Sequence, residues 1–252
     1  MKKAILSAKK LCKSFSNEGV QQHIIKNLDL DIYEGDFTVI MGSSGAGKST
    51  LMYTLSGMDT PTLGEVYFLG ENISKYSSDQ LAVFRRNHCG FVFQQSYLLS
   101  SMSIMDNVMA AGLLLSSSKK QLKNEALALF SEVNLNENLI RKFPTQLSGG
   151  ELQRAGIVRA LINKPEVVFA DEPTGALNSA NTTAVLDVFS KVNAKGQSII
   201  MVTHDIKSAM RANRIIYLKD GTIQGECQLE KYQGEKADRQ DKVRSFLMEM
   251  GW

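Results

Sequence analysis

The segment that most constrains the fold is a glycine-rich loop between an apolar run and a helix-forming stretch. The loop, residues 42–49, has the spacing G-x-x-x-x-G-K-S, and the five residues before it are apolar and β-prone. Glycines let backbone N–H groups turn toward phosphate oxygens, and the helix that follows directs its positive end at the same anion. The pattern therefore predicts a phosphate-binding loop in an α/β sheet.

The side chains of this loop predict that a nucleoside triphosphate binds with Mg²⁺. Lys48 is expected to reach the β- and γ-phosphates, and the Ser49 hydroxyl to bind Mg²⁺. A chance match is the alternative, expected about once in 100 chains of this length. The predicted phosphate-contacting residues are Gly42, Ser43, Ser44, Gly45, Ala46, Gly47, Lys48, Ser49 and Thr50.

A second apolar run, residues 167–170, ends in two carboxylates, Asp171 and Glu172. At a strand end beside the phosphate loop, Asp171 can hold Mg²⁺ through water, and Glu172 can orient or deprotonate an attacking water. Taken alone, such an acidic pair is more often an ordinary loop start. Together with the phosphate loop it favours ATP hydrolysis over a GTP switch, because the nearest sequence to a guanine-binding N-K-x-D motif is N-K-P-E at 163–166.

The sequence LSGGELQR, residues 147–154, predicts a second anion-binding helix end. Ser148 and Glu151 have the spacing of a capping box that begins a helix running to about residue 162. Gly149 and Gly150 leave the N–H groups of the first turn open to an anion. A plain capped helix is the alternative, but it does not explain two glycines where helix propensity is poor.

The LSGGE sequence, with the phosphate loop upstream and the run VVFADE downstream, resembles the ATP-binding subunits of ABC transporters, and the resemblance covers about residues 4–224. The resemblance implies ATP and Mg²⁺ as ligands, with Phe15 stacking on adenine. It implies Gln94 at Mg²⁺ and the attacking water, and His204 at the γ-phosphate. Alone, Phe15 would be a core aromatic and His204 a strand-end histidine. The expected catalytic residues are Glu172, His204 and Gln94, and the expected metal ligands are Ser49, Gln94 and Asp171.

The resemblance also implies partners. In this family two copies face each other head to tail, and each ATP lies between the phosphate loop of one copy and residues 148–151 of the other. A homodimer and a separate transmembrane permease subunit are therefore expected. Glu151 stands where many relatives have glutamine, and either residue completes the capping box. Asn178 stands where aspartate is usual in the loop between the two sites. The negative charge is therefore absent there, and whether the two sites communicate is left undecided by the resemblance.

The resemblance and the alternation of strands and helices predict an α/β fold of the P-loop NTPase type. It would have a RecA-like parallel-sheet core, an N-terminal antiparallel β subdomain and an inserted α-helical subdomain. One ATPase domain is expected over 1–228, with the helical subdomain at about 95–158. A charged linker and a short C-terminal helix are expected over 229–252. The segment 79–162 is expected to be mostly helical, and a further helix is expected over 184–192.

Composition and hydropathy exclude other classes of protein. The 29 basic and 26 acidic residues give a net charge of +3, which does not indicate a dedicated nucleic-acid binder. The best candidate membrane span, 97–115, carries Asp106 and Asn107 near its middle, so no direct membrane span is expected. The expected location is cytoplasmic, peripheral on the inner face of the membrane through the permease.

Residues 171–177 and 248–252 resemble the branch associated with lipoprotein release, macrolide efflux and antimicrobial-peptide export. Export or clearance of peptide, lipoprotein or antibiotic-like substrates is the leading expectation. The alternative is a regulatory ABC ATPase that transmits a conformational signal through a membrane partner without transport. A soluble ATPase of translation or DNA repair is disfavoured, because those usually carry two such domains or a long insertion.

Two apolar segments have more than one interpretation. Tyr97, Leu98 and Leu99 are expected with equal weight to form an exposed patch that receives a permease helix, or to pack inside the helical subdomain. Near the end of the sequence an apolar stripe with helical spacing is expected to dock on the protein's own surface. A partner or membrane-surface role is the alternative, disfavoured because the stripe is short. The stripe consists of Val243, Phe246, Leu247 and Met250.

Overall fold

The computed structural model describes residues 2–17, 19–234 and 237–252, which form two β-sheets and their covering helices. The strands are β1 (Ala4–Asn17), β2 (Val20–Tyr33), β3 (Phe37–Met41), β4 (Leu63–Phe68), β5 (Glu71–Asn72), β6 (Cys89–Phe93), β7 (Val167–Asp171), β8 (Ser198–Val202), β9 (Arg214–Lys219) and β10 (Thr222–Gln228). The α-helices are α1 (Lys48–Leu55), α2 (Ser78–His88), α3 (Ile104–Gly112), α4 (Lys119–Glu132), α5 (Glu137–Ile140), α6 (Gly149–Leu161), α7 (Ser179–Ala194), α8 (Ile206–Ala209) and α9 (Ala237–Glu249).

The larger sheet has six strands in the order β10-β9-β3-β8-β7-β6. All neighbours are parallel except β10, which pairs antiparallel with β9 through the turn at Asp220 and Gly221. Every residue of β3 and β8 is buried, because helices or the second sheet cover both faces. This sheet confirms the predicted parallel core, and it places the carboxyl ends of β3, β7 and β8 side by side.

The smaller sheet has four antiparallel strands in the order β2-β1-β4-β5. Helix α1 lies between the two sheets. Its buried Leu51, Met52 and Leu55 join a hydrophobic core that includes Ile5 and Leu11 of β1. A second core lies on the other face of the larger sheet, under α3, α4, α6, α7 and α9. The predicted antiparallel β subdomain is therefore confirmed, and it packs against the helix that follows the phosphate loop.

The expectation that 79–162 is mostly helical is confirmed by α2 to α6, but Cys89–Phe93 departs from it. These residues form β6, which pairs in parallel with β7 at the edge of the larger sheet. A Cβ at Gly90 would lie 2.5 Å from the Ala160 carbonyl oxygen, so α6 passes directly over this strand. The run CGFVF is short and apolar, and periodicity cannot distinguish such a run from a buried helix segment.

Two helices begin earlier than their sequence patterns predict. Helix α7 starts at Ser179 rather than 184, because the Asn178 side chain accepts the N–H of Asn181 and caps the helix. Helix α9 starts at Ala237, inside the expected charged linker, of which residues 235 and 236 lie outside the described residues. The predicted stripe on α9 does dock on the protein itself, since Val243, Phe246 and Leu247 are buried in the core. The division into domains stays a prediction.

The segment after β6 is partly exposed and partly packed, and its predicted contact with a permease helix stays a prediction. Tyr97 and Leu99 are 65% and 58% exposed, whereas Leu98 packs against the core. No helix in the described part of the chain combines the length and apolarity needed to cross a bilayer.

Candidate functional site

The phosphate loop lies between β3 and α1, as the motif predicts. Gly45 and Gly47 have φ values of 80° and 99°, a left-handed conformation that favours glycine. The Lys48 ammonium folds back into the loop and donates to the carbonyl oxygens of Gly42 and Ser43, at 2.9 and 3.0 Å. Burial lowers the pKa of Lys48, and the carboxylates of Glu172 and Asp171 oppose that shift. The loop therefore has a positive charge at its centre.

Asp171 ends β7 and is held by two residues of α1. Its Oδ1 accepts from the Ser49 hydroxyl at 2.9 Å, and its Oδ2 accepts from the Tyr53 phenol at 2.6 Å. Burial raises the pKa of Tyr53, and the bond to Asp171 raises it further, so the phenol remains a donor. Tyr53 was not predicted as a functional residue. Its position four residues after Ser49, on the same helix face, is the signal that could have found it.

Glu172 is fixed from several sides. Its backbone has φ 45°, uncommon for a non-glycine residue, and its N–H donates to the Val202 carbonyl at 2.9 Å. Its Oε1 lies 3.0 Å from His204 Nδ1, and its Oε2 accepts from the Thr203 hydroxyl at 3.2 Å. The structure thus brings together Glu172 and His204, which are 32 residues apart in the chain. Thr203 was missed because a threonine next to a histidine has no distinctive pattern.

Gln94 directly follows β6, and α6 holds the loop that carries it. Gln153 donates to the Phe93 carbonyl at 2.7 Å. Arg159 donates to the carbonyls of Ser96 and Tyr97, at 2.8 and 2.7 Å. Both side chains belong to the helix that begins with the two glycines of the LSGG sequence. They were not predicted as functional, and they connect that helix to the glutamine loop.

Predicted residues that follow four strands, β3, β6, β7 and β8, meet in one cleft of about 560 Å³. Phe15, Ser148 and Gly149 do not line this cleft in the described part of the chain. The lining residues are Ser43, Ser44, Lys48, Gln94, Glu172, His204, Tyr217, Gly251 and Trp252. The charged groups suit the terminal phosphates of a nucleotide, and the last three lining residues were not anticipated.

The start of α6 forms the predicted capping box. The Ser148 hydroxyl accepts the Glu151 N–H, and Glu151 Oε2 accepts the Ser148 N–H at 2.7 Å. Ser148 and Gly149 are exposed, whereas Gly150 is buried against α7. A Cβ at Gly150 would lie 2.6 Å from the Asn181 side chain, so the second glycine permits a close helix–helix contact. This helix end is a separate surface from the phosphate cleft.

Phe15 lies on β1 and is 45% exposed, so it is not the core aromatic that the alternative interpretation required. The Lys13 ammonium lies 4.9 Å from the centre of its ring and also bonds Asp59 at 2.6 Å. A supported ring with an open face is suited to stacking on a base.

The oxygen-bearing residues can be tested for their fit to Mg²⁺. A hydroxyl, an amide and a carboxylate, from Ser49, Gln94 and Asp171, are hard oxygen donors of the kind that Mg²⁺ prefers. Ser49 Oγ and Asp171 Oδ1 are adjacent, 2.9 Å apart. The described residues hold no group of three or more His, Cys, Asp or Glu that could bind a metal alone. The set fits Mg²⁺ that keeps water and phosphate ligands.

A model of the ABC transporter family matches residues 25–175. The chain belongs to the ABC transporter family. As the ATP-binding subunit of an ABC transporter, it is an ATPase. This confirms the resemblance seen in the sequence.

Several relatives show which ABC ATPases are similar to this one. The lipoprotein-releasing system ATP-binding protein LolD of Aquifex aeolicus is 44% identical over 203 residues, 81% of this chain and 90% of that protein. The macrolide export ATP-binding/permease protein MacB of Haemophilus ducreyi is 39% identical over 223 residues, 88% of this chain and 32% of that protein. This ABC ATPase therefore spans about a third of that relative.

Solved structures agree with the fold. A dimeric ATP-binding cassette, MJ0796, in a post-hydrolysis state bound to ADP and Pi, superposes with a TM-score of 0.83 and 36% identity. The match covers 90% of this ABC ATPase and 100% of that chain.

Proposed function

We propose that this ABC ATPase works as a homodimer with a separate transmembrane permease, and that it powers export or clearance of peptide, lipoprotein or antibiotic-like substrates. The observation that carries the ATPase site is the convergence of Lys48, Gln94, Glu172 and His204 on one cleft. The similarity to LolD and MacB proteins, which are named for lipoprotein release and macrolide export, supports the substrate class.

In this proposal ATP is bound by its triphosphate. The backbone N–H groups of residues 42–50 surround the phosphate oxygens, and the Lys48 ammonium exchanges its two carbonyl contacts for the β- and γ-phosphates. The exposed ring of Phe15 stacks on the adenine. Ser49, Gln94 and Asp171 would hold Mg²⁺, which when bound neutralises developing charge on the phosphates.

Hydrolysis requires a base beside the terminal phosphate. Glu172 Oε1 takes a proton from a water whose oxygen attacks the γ-phosphorus, and the bond to the bridging oxygen breaks, so that ADP leaves with that electron pair. His204, 3.0 Å from the same oxygen of Glu172, keeps the carboxylate in place and lies within reach of the γ-phosphate. Thr203 holds the second carboxylate oxygen, so the base has a single orientation.

The separation of the two anion-binding surfaces supports a dimer. Ser148 and Gly149 are exposed and do not line the cleft of their own chain in the part that the structure describes. The Gly149 N–H, at the exposed start of α6, would serve the ATP held by a second copy. ATP bound between two copies contacts both and shifts the monomer–dimer balance toward the dimer. The proposed location, peripheral on the cytoplasmic face of the membrane, follows from the permease partner.

The central test is Glu172→Gln, with Glu166→Gln as a matched control. Glu166 lies outside the cleft and pairs with His88 at 3.1 Å. Loss of the base should slow hydrolysis by about 100-fold or more, while ATP still binds, so ATP should hold the variant as a stable dimer in size-exclusion chromatography. The control should hydrolyse ATP at the normal rate. Normal turnover by Glu172→Gln would show that another group is the base.

Transport and signalling can be separated by reconstituting the ATPase with its permease in vesicles. Stimulation of hydrolysis by a macrolide, a lipopeptide or a cationic peptide, together with movement of that substrate, is expected for an exporter. Stimulated hydrolysis without movement of any of the three would instead support the regulatory alternative.

A further inference from the structure

The residues after α9 enter the phosphate cleft by a defined turn. The Gly251 N–H donates to the Met248 carbonyl at 3.0 Å, and the Trp252 N–H donates to the Leu247 carbonyl at 2.9 Å. Gly251 has φ 80°. These two bonds around a left-handed glycine are the Schellman motif that ends a helix. The direction of the chain at Trp252 is therefore set by the end of α9.

Helix α9 is itself firmly anchored. Val243 and Leu247 are buried in the second core, on the helical face of the larger sheet, and Arg239 donates to the Met210 carbonyl at 2.6 Å. Met250 packs so closely on β10 that a Cβ at Gly225 would lie 2.7 Å from its sulfur. Because the turn that follows is hydrogen-bonded to α9, the position of Trp252 is fixed by the packing of α9 on the core.

The Trp252 ring completes one wall of the cleft. It contacts the Tyr217 ring edge to face, with 6.3 Å between centroids and 89° between planes. Tyr217 on β9 pairs with Met41, the residue directly before the phosphate loop. Trp252 remains 39% exposed and lines the same cleft as Ser43 and Lys48. An aromatic wall therefore stands beside the groups assigned to the terminal phosphates.

We propose that Trp252 is a positioning residue of the nucleotide site, which closes the terminal-phosphate end of the cleft and favours ATP over ADP. The inference rests on the proposed ATP site. An apolar ring that excludes water there strengthens the attraction between Lys48 and a terminal phosphate, because charge–charge interactions grow as the local dielectric constant falls. ADP has no γ-phosphate at that end, so its affinity depends little on the ring.

The chain offers a direct probe, because Trp252 is its single tryptophan. All intrinsic tryptophan fluorescence then reports on this position. Titration with the non-hydrolysable ATP analogue AMP-PNP should change the intensity or wavelength of emission, and ADP should change it much less. No change at saturating AMP-PNP, with saturation established by displacement of radiolabelled ATP, would overturn the proposal.

Substitutions test the preference for ATP. Trp252→Ala should weaken AMP-PNP binding about fivefold while ADP binding changes less than about twofold. Trp252→Phe, which can keep the edge contact with Tyr217, should recover most of the loss. Met248→Ala is the matched control on the same helix, since Met248 is 68% exposed and does not line the cleft. Equal loss for both nucleotides, or none, would contradict the proposal.

Two further measurements keep the outcomes distinct. An unchanged melting temperature of Trp252→Ala would show that its weaker AMP-PNP binding does not come from undocking of α9. A lowered melting temperature together with weaker ADP binding would count against a positioning role. Lys48→Ala should abolish binding of both nucleotides. If wild type and Lys48→Ala bound neither, the proposed ATP site itself would fail, which differs from an ATP site that ignores Trp252.

Discussion

The φ value of 45° at Glu172 shows how a single residue is adapted to its site. Such backbone costs a non-glycine residue about 1–3 kcal/mol and persists only where its surroundings impose it. Here the Glu172 N–H is held by the Val202 carbonyl, and its carboxylate by Thr203 and His204. Asp171, one residue earlier, is held just as closely by Ser49 and Tyr53. The neighbouring carboxylates therefore point into separate environments.

Tyr53→Phe tests the support of Asp171. The substitution removes a 2.6 Å hydrogen bond and leaves the ring in place, so Asp171 should lose its fixed orientation without loss of the fold. Removal of a group that orients a metal ligand typically weakens metal binding by about 10- to 100-fold. The Mg²⁺ concentration for half-maximal ATP hydrolysis should rise by at least about tenfold.

Tyr67→Phe is the matched control, because its phenol bonds Glu65 in the smaller sheet, away from the cleft. It should leave the Mg²⁺ dependence unchanged. An unchanged dependence in Tyr53→Phe as well would show that Asp171 needs no help from α1.

At the scale of elements, α6 connects three parts of the molecule. Its first turn presents Ser148 and Gly149 to solvent, and its middle holds the loop of Gln94 through Gln153 and Arg159. Its second glycine allows contact with α7, the helix that Asn178 caps. Asparagine and aspartate cap helices about equally well, so Asn178 preserves this local structure despite the loss of charge.

Gly150→Ala tests the contact between α6 and α7. The added Cβ would lie 2.6 Å from the Asn181 side chain, so the helices must shift, and the free energy of unfolding should fall by about 1–3 kcal/mol. Denaturant unfolding gives this value. The double variant Gly150→Ala, Asn181→Ala should recover only part of the loss, because it removes the side-chain atoms at 2.6 Å but leaves the Cβ of residue 181 at 2.9 Å.

Gly156→Ala on the same helix is the matched control. The nearest atom to its added Cβ would be 4.0 Å away, and alanine is the better helix former by about 0.5–1 kcal/mol. This variant should be as stable as the wild type or more stable. A stable Gly150→Ala would mean that α7 moves away without cost.

At the scale of the whole molecule, α6 connects the loop of Gln94 to an exposed apolar pair, Tyr97 and Leu99. Arg159 fixes the carbonyls of Ser96 and Tyr97 directly beyond Gln94. Tyr97 and Leu99 project outward while Leu98 anchors the segment to the core. A change at Gln94 can therefore reach an exposed apolar pair over a few residues, which suits a contact with the permease.

The double variant Tyr97→Ala, Leu99→Ser tests this contact. It should weaken association with the permease by about tenfold or more, because buried aromatic and aliphatic anchors dominate the binding energy of such interfaces. ATP binding and melting temperature should stay near wild type, because both side chains are largely exposed. Val83→Ser, at a residue 45% exposed on α2, is the control. Affinity is measured on purified permease in detergent. Undiminished association would place the permease contact elsewhere.

Local sequence was enough to determine the phosphate loop, the capping box of α6, most strands of the larger sheet and the hairpin at Asp220 and Gly221. These features depend on backbone geometry and short-range hydrogen bonds, which leave regular spacings. The sequence pattern also placed Glu172 beside the phosphate loop that carries Lys48, whereas only the resemblance to a family placed Gln94 and His204 there.

Only the tertiary structure decided the features that depend on distant neighbours. β6 is a strand because β7 pairs with it and α6 covers it, and its own five residues are compatible with either structure. Tyr53 and Thr203 acquire partners from other elements. The entry of Trp252 into the phosphate cleft depends on where α9 docks against the core. Sequence periodicity predicts that a helix has an apolar face. Packing decides which surface covers that face, and it therefore decides where in the molecule the residues after the helix lie.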